Sequence, residues 1–278
     1  MSQVRDSWDA VYARDRPSWY LDPLVAEQKR MAHLELCRRW SPGVVRRALK
    51  TDSFEEAFGE DALFPNLLTA SQTWFAMDVS ERIVWKAQSR AQGRVRFLAA
   101  DARSLPLRSA SLDLVLSNST LDHFDSGREF DDAIREIARV LRPGGQLIIT
   151  VDNPLNPLYW PVRWLSRMRW APFPLGYTPS RSRLRLVLEA AGFEVTASAT
   201  LIHNPRMLST VVFLVLRRLL PGRAERGIRW LLAGFASLER LPTRWLTACF
   251  LAARAVRSES TAPAQGGCGR FFFRPAAR

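Results

Sequence analysis

Apolar and polar residues along the chain follow two periods, which alternate through most of its length. Short apolar runs bounded by charged residues, glycine or proline are typical of buried strands. Between these runs, apolar residues recur every three or four positions, as they do on one face of a helix. The apolar runs predict strands at 44–51, 74–80, 95–101, 112–118, 146–152 and 193–203.

The segments between these strands carry the usual signals of helix beginnings and ends. Ser80 predicts an N-cap, and the sequence RPGG at 142–145 ends a helix whose apolar stripe runs from Phe130 to Leu141. Strands that alternate with helices form parallel sheets with right-handed connections. The pattern therefore predicts an α/β protein with a doubly wound, mostly parallel sheet. The predicted helices lie at 24–40, 55–68, 81–92, 128–141 and 186–192.

The C-terminal third departs from this alternation. Two amphipathic helices are predicted at 206–220 and 223–240, and a final strand at 246–256. Residues 154–179 mix tryptophan and arginine with several prolines, which exclude a long helix. These segments are extra to a simple series of strand–helix units.

The positive charge is confined to the second half of the chain. The net charge is +13, and residues 151–278 contain 19 arginines and six carboxylates, a difference of +13, so the first 150 residues balance. Such a surface suits an anionic lipid, an anionic substrate or nucleic acid. A general preference for arginine over lysine explains the same count equally well.

Several classes of protein are not supported by the sequence. No run of about 18 apolar residues predicts a transmembrane helix, and the charged N-terminus lacks the apolar core of a signal peptide. The three cysteines, Cys37, Cys249 and Cys268, have no metal-ligand spacing and suit free thiols in a reducing compartment. We therefore expect a cytoplasmic protein without a metal.

Acidic residues follow three of the predicted strands. Asp52, Asp78 and Asp101 lie where these strands end, and ligands of open parallel sheets bind at that edge. A carboxylate in the position of Asp78 can accept hydrogen bonds from both ribose hydroxyls of a nucleotide. Asp101 can accept an adenine amino group, while the N–H of Ala102 donates to the ring. A single acid at a strand end is also a common helix N-cap.

Three further motifs carry a resemblance to a known family. "DARSLPLRSASLDLV", "LSNSTLDHF" and "REIARVLRPGG" follow strand three, follow strand four and precede strand five. Together they resemble the class I S-adenosylmethionine-dependent methyltransferases that act on small molecules, lipids and quinones. The resemblance covers residues 44–153. It implies a seven-stranded Rossmann-like methyltransferase fold with helical insertions, and S-adenosylmethionine as cofactor.

The resemblance also implies roles for residues of this chain. Asp78, with Val79 beside it, would bind the ribose, and Asp101 with Ala102 would bind the adenine. Ser117 and Asn118 begin a stretch, 117–120, that would border the methionine part of the cofactor and its sulfonium.

The loop after strand one departs from the family pattern, in which it is rich in glycine. Here it reads "LKTDSFEEAFGED", with the single glycine Gly59. Lys50 could pair with the cofactor's carboxylate, and Asp52 or Glu55 with its ammonium, while Thr51 and neighbouring Ser53 donate hydrogen bonds. The alternative is a loop that no longer binds the cofactor.

Domain boundaries are expected from the same resemblance and from the sequence around it. Residues 1–40 are expected to form an N-terminal helical lid, and 41–257 the methyltransferase domain. Insertions at 154–185 and 204–245 would form a cap on the substrate side, and 258–278 a disordered tail. Ordinary helix packing explains the aromatic residues of the first segment equally well. As substrate contacts of the lid we expect Tyr12, Trp19 and Tyr20.

The predicted function is transfer of a methyl group to a small, rather apolar acceptor, with O-methylation favoured. His123 is the candidate base, although it could simply shape the pocket, and His203 is a weaker candidate. The alternative is a degenerate member that binds a ligand or partner without catalysis. Nucleic acid is not favoured as a substrate, because "SNSTLD" after strand four lacks a base-methylating signature. The arginine- and tryptophan-rich second half suits an anionic membrane surface, a hydrophobic subdomain or a dimer contact.

Overall fold

The sheet of this computed structural model contains seven strands within the residues that the structure describes, which are 22–41, 43–58, 61–67, 72–91, 93, 95–167 and 175–259. The strands run in the order β3-β2-β1-β4-β5-β7-β6. Their bounds are β1 Arg47–Lys50, β2 Thr73–Asp78, β3 Val95–Ala99, β4 Leu112–Asn118, β5 Leu141–Asp152, β6 Phe193–Leu201 and β7 Phe250–Arg257.

Ten α-helices connect or flank these strands in the described part of the chain, together with two short 3₁₀ turns at Leu121–His123 and Leu238–Arg240. The predicted N-cap Ser80 is confirmed, because its hydroxyl accepts the N–H of Ile83 at 3.3 Å. The helices are α1 Pro23–Trp40, α2 Phe54–Phe58, α3 Phe64–Leu67, α4 Glu81–Arg90, α5 Gly127–Val140, α6 Tyr159–Arg167, α7 Arg181–Ala190, α8 Arg206–Leu219, α9 Ala224–Ser237 and α10 Arg244–Thr247.

The direction of the strands defines one functional edge. Strands β1 to β5 are mutually parallel, and β7 runs antiparallel to both β5 and β6. The carboxyl ends of β1 to β6 therefore lie on the same side of the sheet, which we call the carboxyl edge. The expectation of a doubly wound, mostly parallel, seven-stranded sheet is confirmed.

Apolar side chains fill both faces of the sheet. Helix α5 buries its whole predicted stripe, from Phe130 to Leu141, against one face, where α7 joins it. Helix α1 packs Leu36 and Trp40 against the other face, on strands β1, β4 and β5. The sheet is thus covered on both sides, as a continuous apolar β5 requires.

Some predicted element boundaries are wrong. The last strand begins at Phe250 instead of 246, because 244–247 forms the helical turn α10. The sequence RPGG lies within β5 instead of preceding it. Leu112 pairs with Leu141 and Leu114 with Gln146, so the four residues bulge from the ladder.

Helices α8 and α9 form a small helical unit, which we call the cap. Helices α8 and α9, which confirm the two predicted amphipathic helices, pack against the start of α1 through Phe213 and Ile228. Arg217 of α8 binds the carboxylate of Asp22, the N-cap of α1, at 2.7 Å. None of the helices in the described ranges combines the length and the hydropathy needed to cross a membrane.

Candidate functional site

Lys50, at the carboxyl end of β1, is the centre of a buried charge cluster. Its side chain is 1% exposed, and its Nζ lies 3.0 Å from Asp52 Oδ2, 3.5 Å from Glu55 Oε2 and 3.9 Å from Glu56 Oε1. It also donates to the backbone oxygen of Asp52 at 2.9 Å. Lys50 therefore neutralises carboxylates of its own loop and holds that loop against the sheet.

Helix α1 supplies a second lysine to the same cluster. Lys29 Nζ lies 3.0 Å from Glu55 Oε1 and 2.6 Å from Asp61 Oδ2. With all groups ionised, two lysines face four carboxylates, so the cluster has a net charge of −2. The local potential therefore favours a bound cation.

The cluster shifts the protonation of its own members. Burial alone would lower the pKa of Lys50, but the neighbouring carboxylates outweigh it and hold that pKa above its usual value. Burial and the nearby Glu55 raise the pKa of Asp52 well above its usual range. Burial opposes ionisation of Glu55 too, but Lys29 and Lys50 hold its pKa well below the ordinary value. Asp52 is therefore the member of this pair that takes up a proton first.

Hydroxyl groups fasten the glycine-poor loop on both sides. Ser53 Oγ donates to the carbonyl of Met77 in β2 at 3.0 Å, and Thr51 Oγ1 lies 3.2 Å from Thr120 Oγ1 after β4. The backbone N–H of Ser53 donates to Asp78 Oδ2 at 3.2 Å. The loop is thus anchored to the ends of β2 and β4, the two strands that flank β1.

Asp78 ends β2 in a buried position between two backbone donors. Its Oδ1 accepts the N–H of Ser80 at 2.9 Å, and its Oδ2 accepts the N–H of Ser53. Burial raises the pKa of Asp78 to about 6, although these two hydrogen bonds act in the opposite direction. Val79 follows it at the start of the turn into α4 and is partly exposed.

Asp101, beyond the end of β3, is held by a neighbouring guanidinium. Arg103 contacts it through Nη2 at 2.6 Å and through Nε at 3.0 and 3.1 Å, and also binds Glu129. Partial burial alone would raise the pKa of Asp101, but these hydrogen bonds hold it below its usual value. Ala102 beside it is buried in the core. The side chain of Asp101 therefore already has a strong partner.

The end of β4 brings several polar groups to the edge. Ser117 and Asn118 are buried at its last two positions. Ser119 adopts φ +49°, a conformation uncommon for a residue with a side chain. Its Oγ donates to Asp122 Oδ2 at 3.1 Å, and that oxygen also accepts the N–H of Asp152 at 2.7 Å. Asp122 thus ties the turn after β4 to the end of β5.

His123 lies in this turn and is partly exposed. Gly176 lies against the backbone of the turn, so closely that a Cβ there would be 2.3 Å from the oxygen of Phe124 and 2.5 Å from the carbonyl carbon of His123. The N–H of Tyr177 donates to that Phe124 oxygen at 2.6 Å. The segment after α6 therefore fixes the position of His123.

The other two histidines are buried. His203, just beyond β6, lies 2.8 Å from both Thr247 Oγ1 and Glu239 Oε2, so both ring nitrogens have partners. His33 of α1 contacts the backbone oxygen of Lys29 through Nδ1 at 2.8 Å, and its ring centroid lies 6.0 Å from that of Phe250. Burial and the nearby Lys29 lower the pKa of His33 to about 4, so the imidazole is neutral.

The structure brings most predicted site residues together and adds others. The residues predicted after β1, β2, β3 and β4 all lie at the carboxyl edge, whereas Tyr12, Trp19 and Tyr20 are outside the described residues. Sequence reasoning missed Lys29, His33 and Gly176. The first two share one face of α1, four residues apart, which is the one sequence signal that could have indicated them.

Five buried polar side chains near this edge have an atom without a hydrogen-bond partner in the described ranges. Buried polar groups of folded proteins are normally paired. These atoms are therefore of the kind that a bound molecule would satisfy. They are His33 Nε2, Ser117 Oγ, Asp122 Oδ1, both amide atoms of Asn204, and Ser209 Oγ.

A parallel sheet in this order, with acids at successive strand ends, defines a nucleotide-binding α/β protein. Comparison with known proteins narrows the class. Residues 56–149 match the family described as "Methyltransferase domain", a match that begins within the glycine-poor loop. The chain is 27% identical over 185 residues to the probable S-adenosylmethionine-dependent methyltransferase Rv3030 of Mycobacterium tuberculosis, over 63% of this chain and 59% of that one.

Two further similarities differ in how much of the chain they cover. A malonyl-[acyl-carrier protein] O-methyltransferase of Enterobacter lignolyticus is 40% identical over 75 residues, 27% of this chain and 28% of that protein. The N-methyltransferase NodS of Bradyrhizobium japonicum, solved with S-adenosyl-L-homocysteine, shares the fold at a TM-score of 0.56 and 18% identity, over 92% of this chain and 98% of that one.

In fold and in sequence, this chain is similar to the class I S-adenosylmethionine-dependent methyltransferases. S-adenosylmethionine is the cofactor of that class. The chain spans about three fifths of the length of the first curated relatives that it matches.

Proposed function

We propose that this protein transfers a methyl group from S-adenosylmethionine to an oxygen of a small, apolar acceptor. The observation that carries this proposal is Asp78, a buried carboxylate at the end of β2 with both oxygens directed by backbone donors. When bound, the cofactor supplies a methyl group made electrophilic by the sulfonium.

The residues at the ends of β2 and β3 fit the nucleoside part of this cofactor. Asp78 would accept the ribose hydroxyls, because each carboxylate oxygen has lone-pair capacity beyond its one backbone donor. The backbone of Ala102 would meet the adenine ring. Asp101 would contribute an oxygen to the adenine amino group while it keeps its pair with Arg103.

The cluster around Lys50 fits the methionine part of the cofactor. Its four carboxyl groups outnumber its two lysines, which favours the cofactor's ammonium, and Asp52 and Glu55 would receive that group. Since Lys50 is already surrounded by three carboxylates, its contribution to the cofactor's carboxylate would be at longer range. In place of glycines, the hydroxyls of Thr51 and Ser53 hold the loop close to the strands.

The cap supplies the acceptor side. Asn204 is fully buried just before α8, and Ser209 lies in the first turn of that helix. Both bear polar atoms without a hydrogen-bond partner in the described residues. They would orient the acceptor, since alignment of the nucleophile with the methyl group is the main requirement of this displacement.

His123 would act as the base for an oxygen nucleophile. It is partly exposed beside the end of β4, and Gly176 fixes its backbone. An imidazole near neutral pH can take the proton of a hydroxyl as the new bond forms. Support for oxygen as the methylated atom also comes from the malonyl-[acyl-carrier protein] O-methyltransferase similarity.

The first test is calorimetric titration of the purified protein with S-adenosylmethionine and with S-adenosylhomocysteine. We expect micromolar binding of both, followed by methyl transfer to hydroxylated apolar acceptors in a tritium-release screen. Absence of binding to either molecule would contradict the proposal at the cofactor step. Binding without turnover of oxygen acceptors, but with turnover of amines, would contradict only the assignment of the methylated atom.

Asp78→Ala should weaken binding of S-adenosylmethionine by at least about tenfold, or 1.4 kcal/mol, the scale of lost charge-assisted hydrogen bonds. Because the pKa of Asp78 is raised to about 6, wild-type affinity should rise as the pH increases through 6 and the carboxylate ionises. Asp78→Asn, which keeps an acceptor for one of the two backbone N–H groups and places an amide NH2 at the other, should remove this pH dependence. Titration calorimetry from pH 5 to pH 8 (chosen to bracket the pKa of about 6) measures both.

The control for this experiment is Asp132→Ala, which removes a surface carboxylate whose ion-pair partner in the described part of the chain is Arg135 of the same helix, α5. Its affinity and pH profile should match the wild type. An Asp78→Ala protein that is folded and binds the cofactor with unchanged affinity would remove the ribose assignment.

Asn204→Leu should leave binding of S-adenosylhomocysteine unchanged but reduce turnover of the acceptor by at least about tenfold. The free energy of unfolding should stay constant or rise, because both amide atoms lack partners in the described residues. Asn153→Leu is the matched control, since its buried amide donates to Trp245 O at 2.8 Å and Ala248 O at 2.9 Å. We expect the free energy of unfolding of that control to fall by about 1–3 kcal/mol. An equal loss in Asn204→Leu would assign Asn204 to the scaffold instead.

A further inference from the structure

Helix α8 exposes an apolar stripe on the face directed away from the protein. Its inner face packs Phe213 into the cap, where it is 1% exposed. The outer face carries five aliphatic residues that are 41% to 70% exposed and lie at helical spacing. They are Leu208, Val211, Val212, Val215 and Leu219.

A helix that is apolar on two faces is normally covered on both. Exposed apolar area of this extent and continuity usually marks a site of interaction. Large exposed residues are also present outside this stripe. Trp230 of α9, the helix that packs with α8, is 76% exposed, and Trp160 and Trp164 of α6, which follows β5 at the carboxyl edge, are each 61% exposed. Tryptophan favours the boundary between water and hydrocarbon.

Exposed arginines accompany this apolar surface. Arg218 lies in the last turn of α8 next to Leu219, Arg223 precedes α9, and Arg226 and Arg229 lie on α9 close to Trp230 in the sequence. The residues from 151 onward hold the whole net charge of +13. A surface with a rim of positive charge around aliphatic and tryptophan side chains complements anionic lipid headgroups over acyl chains.

We propose that α8, with the tryptophans of α6 and α9, docks this protein on an anionic membrane surface. The helix would lie in the interface plane, its aliphatic stripe among the acyl chains and its arginines at the headgroups. Since α6 and α8 both follow strands that end at the carboxyl edge, docking would place the acceptor site next to the bilayer. An apolar acceptor could then enter without crossing water. Membrane binding itself does not rest on methyl transfer.

A second copy of the chain is the rival occupant of this stripe. Charge argues against it, because two copies would bring their arginine rims together. Repulsion between like charges across an interface is unfavourable. An anionic bilayer satisfies both parts of the surface at once.

The test is co-sedimentation of the full chain with vesicles of phosphatidylcholine, with and without phosphatidylglycerol. We expect binding to the anionic vesicles, weakened by salt, and little binding to the neutral ones. Val211→Glu with Val215→Glu should reduce the partition coefficient at least about tenfold, because both charges would enter the apolar layer. Arg218→Glu with Arg223→Glu should reduce binding to anionic vesicles in particular.

Leu186→Glu with Trp85→Glu adds the same two charges at other exposed apolar positions, on α7 and α4, and should bind vesicles like the wild type. Binding of S-adenosylhomocysteine is measured on each variant, so failure of the cofactor site is recognised separately. Equal partition of the α8 variant and this control would overturn the proposal. So would a wild-type dimer in size-exclusion chromatography that Val211→Glu with Val215→Glu dissociates, since the stripe would then be a subunit interface.

Discussion

Lys50→Met is expected to lower the free energy of unfolding by about 3–5 kcal/mol, the usual cost of removing one partner from a buried ion cluster. The ammonium of Lys50 lies within 3.0 to 3.9 Å of three carboxylates and is 1% exposed. Without it, those carboxylates are buried beside Lys29 alone. Binding of S-adenosylmethionine and of S-adenosylhomocysteine should weaken alike, because the loop would lose its position. Chemical denaturation and calorimetry measure the two effects.

The free energy of unfolding lost in Lys50→Met should depend on pH, and the direction of this dependence can be predicted. In Lys50→Met, burial without the lysine raises the folded-state pKa of the remaining carboxyl groups above their ordinary values. The folded state then holds more protons than the unfolded state, so stability falls as the pH rises above the ordinary carboxyl range. The deficit should thus be larger at neutral pH than at pH values near the ordinary carboxyl pKa.

Two further variants separate charge from packing. Adding Glu56→Gln to Lys50→Met should recover part of the lost stability, because Lys50 is the ion-pair partner of Glu56 among the described residues and its uncompensated charge is removed. Lys86→Met is the matched single control. Its ammonium lies 4.0 Å from the Phe58 ring centroid on a partly exposed side chain, a contact worth about 0.5–1 kcal/mol. A Lys50→Met protein as stable as this control would contradict the role given to the cluster.

Gly176→Ala is expected to destabilise the protein by about 3 kcal/mol, the upper end of the usual cost of over-packing. The added methyl would lie 2.3 Å from Phe124 O, 2.5 Å from His123 C and 2.7 Å from Asp122 O. These are backbone atoms, so no side-chain rotation relieves the overlap. The turn that carries His123 should shift, and methyl transfer should fall further than cofactor affinity.

Gly227→Ala tests the same substitution where there is room. Gly227 lies within α9, and a Cβ there would meet no atom within 4 Å. Alanine should stabilise this helix by about 0.5–1 kcal/mol, since it has the higher helix propensity. Opposite signs in thermal unfolding of the two variants are the expected result. Two changes of the same sign would mean that the close packing of 176 against the turn is wrong.

The predicted fold followed from features that the sequence displays locally. Strands such as β4 and β5 are buried on both faces, so they appear as continuous apolar runs, and both were found within a few residues of their bounds. The start of β7 was missed because "LTACFLAARAV" is mostly apolar on both sides of Phe250. Its composition does not change where helix α10 gives way to the strand.

The candidate site was only partly predictable, for a different physical reason. Asp78 and Asp101 could be found because position at a strand end is a local property. The direction in which the Lys50 side chain points could not be predicted. It depends on β1 lying between β2 and β4, and strand order is a tertiary property. Gly176 carries no signal in the sequence, since the backbone it approaches is about 50 residues away along the chain.

Because the chain has few lysines, amine-reactive reagents can probe the buried cluster with little competing modification. The chain has three lysines, at positions 29, 50 and 86, of which the first two lie in the cluster with side chains 18% and 1% exposed. An acylating reagent should therefore modify Lys86 rapidly in the native protein and Lys50 only when the loop opens. Mass spectrometry of samples taken at successive times would measure the acylation rate of Lys50, and this rate would report how often the loop opens. A bound ligand that holds the loop closed would slow the acylation of Lys50. The acylation rate of Lys86 would stay the same and serve as the internal control.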